Sequence, residues 1–178
     1  MCAVSFAFGQ TNYRISNYSL AVKGSSNLHD WTSNAKEVRA NGSFTFVAGA
    51  LKSVDALYVE IPVKSIKSEK GSIMDNKTYD ALKADRFGNI TYKLGKITSL
   101  TKKGDGYDIN ATGSLSIAGV TNNIDMYVKA KVGADGSITF SGSKKIKMTE
   151  YQIKPPTALL GTLTTGDDVE IVFQVTLK

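Results

Sequence analysis

The strongest constraint on the fold is an alternation of apolar and polar side chains that recurs from about residue 35 to the C-terminus. Near the end of the chain, every second position is apolar: Val169, Ile171, Phe173, Val175 and Leu177. Successive side chains of a strand point to opposite faces, so this period predicts strands with one apolar and one polar face. Because such strands follow one another with little helix between them, the sequence predicts an all-β fold whose sheet closes around its apolar face.

About eight antiparallel strands are predicted along the chain. They fall near residues 12–24, 36–48, 52–67, 88–101, 105–118, 121–133, 136–148 and 167–178. Several connections have the composition of tight turns, namely residues 103–106, 118–121 and 134–137. A sheet of this size can close into a barrel with room for a side-chain core or one small ligand.

The pair Asn41-Gly42 would ordinarily mark a hairpin turn. Here the apolar residues on both sides of it, among them Val38 and Phe44, keep a single parity. We therefore predict a continuous strand with a bend or bulge at Gly42, as closed barrels require.

The segment Gly71–Arg86 departs from the β pattern. Ser72 can cap a helix, and Ile73, Tyr79 and Leu82 follow at roughly helical spacing. The sequence therefore predicts one short helix across or beside one mouth of the barrel.

The stretch Tyr151–Gly166 is irregular, with Pro155-Pro156 followed by the apolar Leu159 and Leu160. It is either an ordered lid at the barrel rim or a plain crossover connection, since long loops are often functional. If it is a lid, Leu159 and Leu160 line a mouth of the barrel.

Residues 1–10, MCAVSFAFGQ, differ from the rest of the chain. The short apolar run resembles the end of a secretory signal peptide without the usual basic start, and a frayed first strand or a cloning scar is the alternative. It is too short to cross a bilayer, so no transmembrane segment is predicted. Cys2 is the only cysteine, and the predicted domain, residues 11–178, contains none.

Composition and charge restrict the function classes. The 178 residues suit one domain, and 42% hydrophobic residues can supply a core. The net charge is +6, but the lysines are scattered rather than grouped with aromatic residues, so nucleic-acid binding is not predicted.

The residues that commonly carry catalysis or metals are scarce. His29 is the only histidine, which argues against His/Cys zinc sites and against a Ser-His-Asp or Cys-His triad that uses any other base. A two-carboxylate hydrolase would need inward acids, and Glu60 falls on the parity opposite Leu57, Val59 and Ile61. We therefore expect no enzyme activity, cofactor or metal.

Four ordered segments resemble the YceI-like family. They are Gly24–Trp31 with Val38–Phe44, then Ile61–Ile66, Ala81–Tyr92 and Gly113–Thr121. The last three are similar to the family patterns I-P-x-x-S-I, L-K-s-x-x-F/Y-P-x-I-t-F and G-x-L-t-I-x-G-v-t. Gly88 departs from the family, which usually has proline there.

The resemblance implies a lipocalin-like antiparallel barrel with an apolar lumen. For some members it also implies binding of long amphiphiles such as polyisoprenoids in the bacterial cell envelope. From parity alone, inward side chains that simply pack against one another would be the favoured interpretation, and the resemblance shifts it to an open lumen. The lumen-facing residues predicted to contact a ligand are Phe44, Phe46, Leu57, Val59, Ile61, Tyr92, Leu94, Leu115, Ile124, Met126, Val128, Phe140, Ile171 and Phe173.

The sequence therefore predicts non-enzymatic binding, transport or storage of a lipid or isoprenoid-like amphiphile by a periplasmic or secreted protein. His29 and Tyr92 are predicted to contact its polar end. The alternative is a secreted structural or carbohydrate-interacting β-domain with a filled core and outward Tyr18, Trp31 and Tyr127. An edge strand left by incomplete closure would favour a homodimer.

Overall fold

The computed structural model describes residues 9–158 and 161–178, and most of them lie in antiparallel strands. One α-helix, α1 (Ser72–Ala81), and two short 3-10 helices, Val63–Ser65 and Met148–Tyr151, interrupt them. The strands are β1 (Gly9–Ser26), β2 (Trp31–Ala35), β3 (Arg39–Val47), β4 (Ala50–Pro62), β5 (Ile66–Ser68), β6 (Asn89–Lys103), β7 (Gly106–Ile117), β8 (Val120–Val132), β9 (Ile138–Lys147), β10 (Thr157–Ala158) and β11 (Leu163–Leu177).

Eight of these strands form a closed antiparallel barrel in the order β1-β3-β4-β6-β7-β8-β9-β11, and β11 pairs back onto β1. The closing register places Leu20 opposite Phe173 and Val22 opposite Ile171. The predicted all-β barrel with one short helix is confirmed.

Strand β1 pairs with two different strands along one of its edges. Its first part, Gly9–Arg14, pairs with β3, whereas Ala21–Gly24 pairs with β2 on the same side. Strand β2 then pairs with β5. The short strands β2 and β5 therefore extend the sheet beyond the barrel. No strand was predicted over residues 31–35, and most of β5 was included in the strand predicted over residues 52–67.

The predicted tight turns are confirmed at residues 103–106, 118–121 and 134–137. Ala118 and Gly119 both have positive φ, the backbone of the primed hairpin turns. The continuous strand through Asn41-Gly42 is also confirmed, because both residues lie within β3 and the register with β4 shifts just after Ser43.

Three predicted boundaries are corrected. Strand β11 begins at Leu163, so residues 163–166 belong to a strand and not to the irregular stretch predicted to end at Gly166. The helix ends at Ala81 instead of Arg86, because Lys83 adopts a left-handed backbone and its N–H bonds back to the carbonyl of Asp80. The strand predicted over residues 52–67 is divided after Pro62 by the 3-10 helix that precedes β5.

Aromatic side chains fill the barrel at the end that carries the β3–β4, β6–β7 and β8–β9 turns. Tyr13 contacts Phe44 edge-on with ring centroids 5.1 Å apart, and Phe44 lies 5.6 Å from Phe140. The hydroxyl of buried Tyr107 accepts a hydrogen bond from the amide of Leu51 at 3.0 Å. We call this region, with Phe46, Ile138 and Leu177, the closed half.

Candidate functional site

The opposite end of the barrel contains a cavity of about 260 Å³. It lies where α1, the β1–β2 connection and the segment between β9 and β11 meet, and we call this region the open half. Its walls are apolar side chains of the barrel strands: Leu20, Val22, Ile61, Ile90, Ile117, Ile146, Val169 and Ile171. The volume falls slightly below the range of about 300–1,000 Å³ typical of ligand pockets.

One face of helix α1 closes part of the cavity. Met74, Lys77, Thr78 and Ala81 all line it. These positions are related by i, i+3, i+4 and i+7, so they share one side of the helix. The helix therefore presents both apolar surface and one cation to the cavity.

Polar contacts fix α1 against β5. The buried carboxylate of Asp75 accepts a hydrogen bond from the amide of Ser68 at 2.7 Å and lies 3.4 Å from the ammonium of Lys67. The Tyr79 hydroxyl donates to the carbonyl of Ile66 at 3.1 Å and accepts from Lys67 at 2.6 Å. The hydrogen bond to Tyr79 is the main reason why the pKa of Lys67 is raised.

Trp31 lies over the backbone of β1 at the cavity wall. A Cβ at Gly24 would collide with the indole ring, so glycine is required there for this contact. The indole N–H donates to the carbonyl of Ser25 at 3.1 Å. Trp31 therefore lines the cavity and does not belong to an outward aromatic platform, which was the alternative considered from the sequence.

His29 lies at the cavity in the connection between β1 and β2. The Ser26 hydroxyl donates to the carbonyl of His29 at 2.7 Å and holds the turn. The Nδ1 atom of His29 lies 2.9 Å from the backbone carbonyl oxygen of Asp30. This contact orients the ring beside the cavity.

The segment after β9 supplies the remaining apolar cover: Met148, Tyr151, Ile153 and Pro156. Asp167 fixes its start, since its carboxylate accepts bonds from the amide and the hydroxyl of Thr149 at 2.9 and 2.7 Å. These two bonds hold the pKa of Asp167 below its usual range, the hydroxyl contributing most.

Tyr151 is 1% exposed, and among the described residues its hydroxyl has no hydrogen-bond partner. Burial raises its pKa, and the neighbouring Asn122 acts in the opposite direction. The Asn122 amide donates instead to the carbonyl of Glu150 at 2.9 Å. Tyr151 thus places in the packing of the open half a hydroxyl that no described residue pairs with.

The structure separates the predicted lumen residues. Ile61 and Ile171 line the cavity, as does His29 from the predicted mouth. Tyr92, Leu115, Ile124 and Phe173 pack around it, and the Tyr92 ring covers Gly113. Met126 is half-buried. Leu159 and Leu160 lie outside the described residues. The rest belong to the closed half or pack against it: Phe44, Phe46, Leu57, Val59, Leu94, Val128 and Phe140.

Leu20, Val22 and Ile146 line the cavity from β1 and β9 and were missed, although the alternation along their own strands was available as a signal. Five other lining residues were also missed: Trp31, Met74, Met148, Tyr151 and Ile153. All five lie outside the eight barrel strands, so the parity of the strands carries no information about them. The helical spacing from Met74 to Ala81 was the one available signal for these five.

No group of three or more His, Cys, Asp or Glu side chains is placed to hold a metal ion in the part that the structure describes. Among the same residues, no helix combines the length and the apolar character needed to cross a bilayer.

Residues 16–177 match the family model of the YceI-like domain. The YceI protein of Campylobacter jejuni is 26% identical, with a TM-score of 0.61, and the match covers 81% of this chain and 82% of that one. No curated protein matches the chain.

Two other solved structures share the fold. BcnA of Burkholderia cenocepacia is 19% identical, with a TM-score of 0.69 and coverage of 89% and 95%. A polyisoprenoid-binding domain from Saccharophagus degradans is 14% identical, with a TM-score of 0.72 and coverage of 96% and 99%. At these identities the likeness shows the fold alone.

Proposed function

Because the chain belongs to the YceI-like family, we propose that it binds a lipid or isoprenoid-like amphiphile in the open half of its barrel. The observation that carries the proposal is the apolar cavity of about 260 Å³ under α1. A relative with the same fold, from Saccharophagus degradans, is described as polyisoprenoid-binding, which supports the same ligand class here.

The physical basis is the transfer of an apolar chain from water. Each methylene group buried against walls such as Ile61, Ile117 and Ile171 gains about 0.8 kcal/mol. The polar end of the ligand would lie where the polar lining residues are, among them His29 and Ser68. The aromatic cluster of the closed half limits how deep the tail can reach.

We propose binding without catalysis. The one histidine at the cavity, His29, contacts a backbone carbonyl rather than a hydroxyl or a carboxylate. We further propose that binding takes place in the bacterial periplasm or outside the cell, as family membership and the apolar run near the N-terminus suggest.

The arrangement of aromatic residues favours this function over an outward carbohydrate platform. Tyr18 is half-buried and donates a hydrogen bond to the carbonyl of Lys36 at 2.7 Å, and Trp31 lines the cavity. Only Tyr127, at 50%, is largely exposed. Three aromatic rings are therefore not presented together on the outer surface.

Mass spectrometry of a solvent extract from the purified, folded protein tests the proposal directly. We expect a stoichiometric amphiphile, and the delipidated protein should bind alkyl-chain probes from octanoate to hexadecanoate more tightly as the chain lengthens, up to the length that fills the cavity. Ile171→Asp should abolish binding, because it places a charge in the apolar wall.

Val172→Asp provides the matched control, since Val172 is the next residue of β11 and faces the other side of the sheet. This variant should retain binding. The function is rejected if the folded wild-type protein carries no amphiphile and binds none of the probes.

A further inference from the structure

The charges around the cavity are all of one sign. Among the described lining residues, Lys70 and Lys77 are the only side chains that carry a full charge at neutral pH, and none is a carboxylate. Both belong to the segment that covers the open half: Lys70 precedes α1, and Lys77 lies on its cavity face.

Neither lysine is neutralised by a neighbour. Other lysines at this end form ion pairs, Lys64 with Asp85 at 2.8 Å and Lys67 with Asp75 at 3.4 Å. Within the described ranges, no carboxylate lies within ion-pair distance of Lys70 or Lys77. Their positive charge is therefore available to a ligand.

Lys77 is also held in position. It is half-buried, and its ammonium donates to the carbonyl of Thr157 in β10 at 3.1 Å. An ammonium group has three donors, so this bond leaves two for a ligand. Met74 and Ala81 flank it on the same helical face, so apolar surface and a cation adjoin one another.

We propose that the bound amphiphile has an anionic head, a carboxylate or a phosphate, held by Lys70 and Lys77 while its tail occupies the apolar cavity. This inference rests on the proposed function and specifies its ligand class. A neutral head would leave the two lysines without a counter-charge, whereas an anionic head forms charge-assisted hydrogen bonds with them.

The test compares ligands with tails of similar length whose heads differ in charge. Binding of decanoate, methyl decanoate and decyl phosphate to the delipidated full chain is measured by calorimetry at low salt. We expect decanoate to bind about tenfold more tightly than the neutral ester, corresponding to roughly one strong charged contact. Decyl phosphate should bind at least as well as decanoate.

The variant Lys70→Met/Lys77→Met removes both charges and keeps side chains of similar reach. Because both lysines line the cavity, the readout is the ratio of the affinities for decanoate and for the ester, which should fall to about one. The control Lys52→Met/Lys102→Met removes the same charge from exposed positions at the closed half, so its preference should be unchanged.

The outcomes distinguish the two proposals. Equal affinity of the wild type for decanoate and its ester overturns the anionic head but leaves lipid binding intact. A preference that persists in Lys70→Met/Lys77→Met, or that is lost equally in the control, also overturns it. If no probe binds, the proposed function fails together with this inference.

Discussion

The two halves of the barrel are built from the same strands and differ in what fills them. On β9, Ile138 and Phe140 are packed in the closed half, whereas Ile146 lines the cavity. The closed half contains aromatic rings from several strands, whereas the barrel strands line the cavity with aliphatic side chains. The alternation of side chains therefore determines which residues point inward, and their volume determines whether the interior is filled.

The two ends also differ in how they are closed. Tight turns with positive-φ glycines, Gly49, Gly104 and Gly136, join the strands around the closed half. At the open half the β7–β8 connection is also a tight turn, at Ala118-Gly119, but the other three connections are long and carry α1, β2, β5 and β10. Because a tight turn cannot carry cover residues over the interior, the cavity lies at the end with the long connections.

The largest expected effect is on the stability of the closed half. Phe44→Ala removes a fully buried ring that contacts Tyr13 and Phe140, so we expect a loss of about 3–5 kcal/mol in the free energy of unfolding. Urea denaturation measures this loss. Decanoate affinity of the folded fraction should be unchanged, and a large loss of affinity would show that the closed half is part of the ligand site.

The corresponding change in the open half should affect binding more than stability. Ile171→Ala removes a side chain that already borders a cavity, so we expect a loss near the lower end of the usual range, about 2 kcal/mol. The enlarged cavity should shift the preferred alkyl chain to a greater length in calorimetric titrations. An unchanged length preference would contradict the assignment of Ile171 to the ligand site.

Removal of the hydroxyl should affect stability differently at two tyrosines, one in each half. Tyr107→Phe deprives the buried Leu51 amide of its acceptor and should cost about 1–3 kcal/mol. Tyr151→Phe removes a buried hydroxyl with no partner among the described residues and should leave stability unchanged or raise it. Thermal melting of both variants checks this, and equal destabilisation would mean that the Tyr151 hydroxyl is paired in solution.

The sequence predicted the barrel because each strand repeats the same parity, and it identified Ile61 and Ile171 as inward residues. It also interpreted Asn41-Gly42 correctly, since parity across the pair outweighs the turn preference. It could not distinguish Ile171 from Phe140, because both are inward and only tertiary packing separates a wall residue from a filled core. The sequence could not predict that Trp31 and Tyr151 lie at the cavity, because their positions depend on connections without a repeating pattern.

The smallest effects concern two aspartates, one at each end. Asp135 accepts hydrogen bonds from the hydroxyl and amide of Ser137 and from the ammonium of Lys178. These bonds hold the pKa of Asp135 well below the usual range, and the bond from the Ser137 hydroxyl contributes most. The pKa of Asp167 is lowered by Thr149. A lowered pKa in the folded state means that each carboxylate stabilises the fold above its unfolded pKa, about 3.9, and that this contribution is lost as the pH falls.

We therefore expect Asp135→Asn and Asp167→Asn each to reduce stability slightly at neutral pH, and their difference from the wild type to shrink below about pH 4. Melting temperatures across this range measure both. Only Asp167→Asn should also weaken decanoate binding, because Asp167 fixes the segment that brings Met148 and Tyr151 to the cavity. Weakened binding in Asp135→Asn as well would show that the two halves are coupled, so that a change in the closed half alters the affinity of the open half for the ligand.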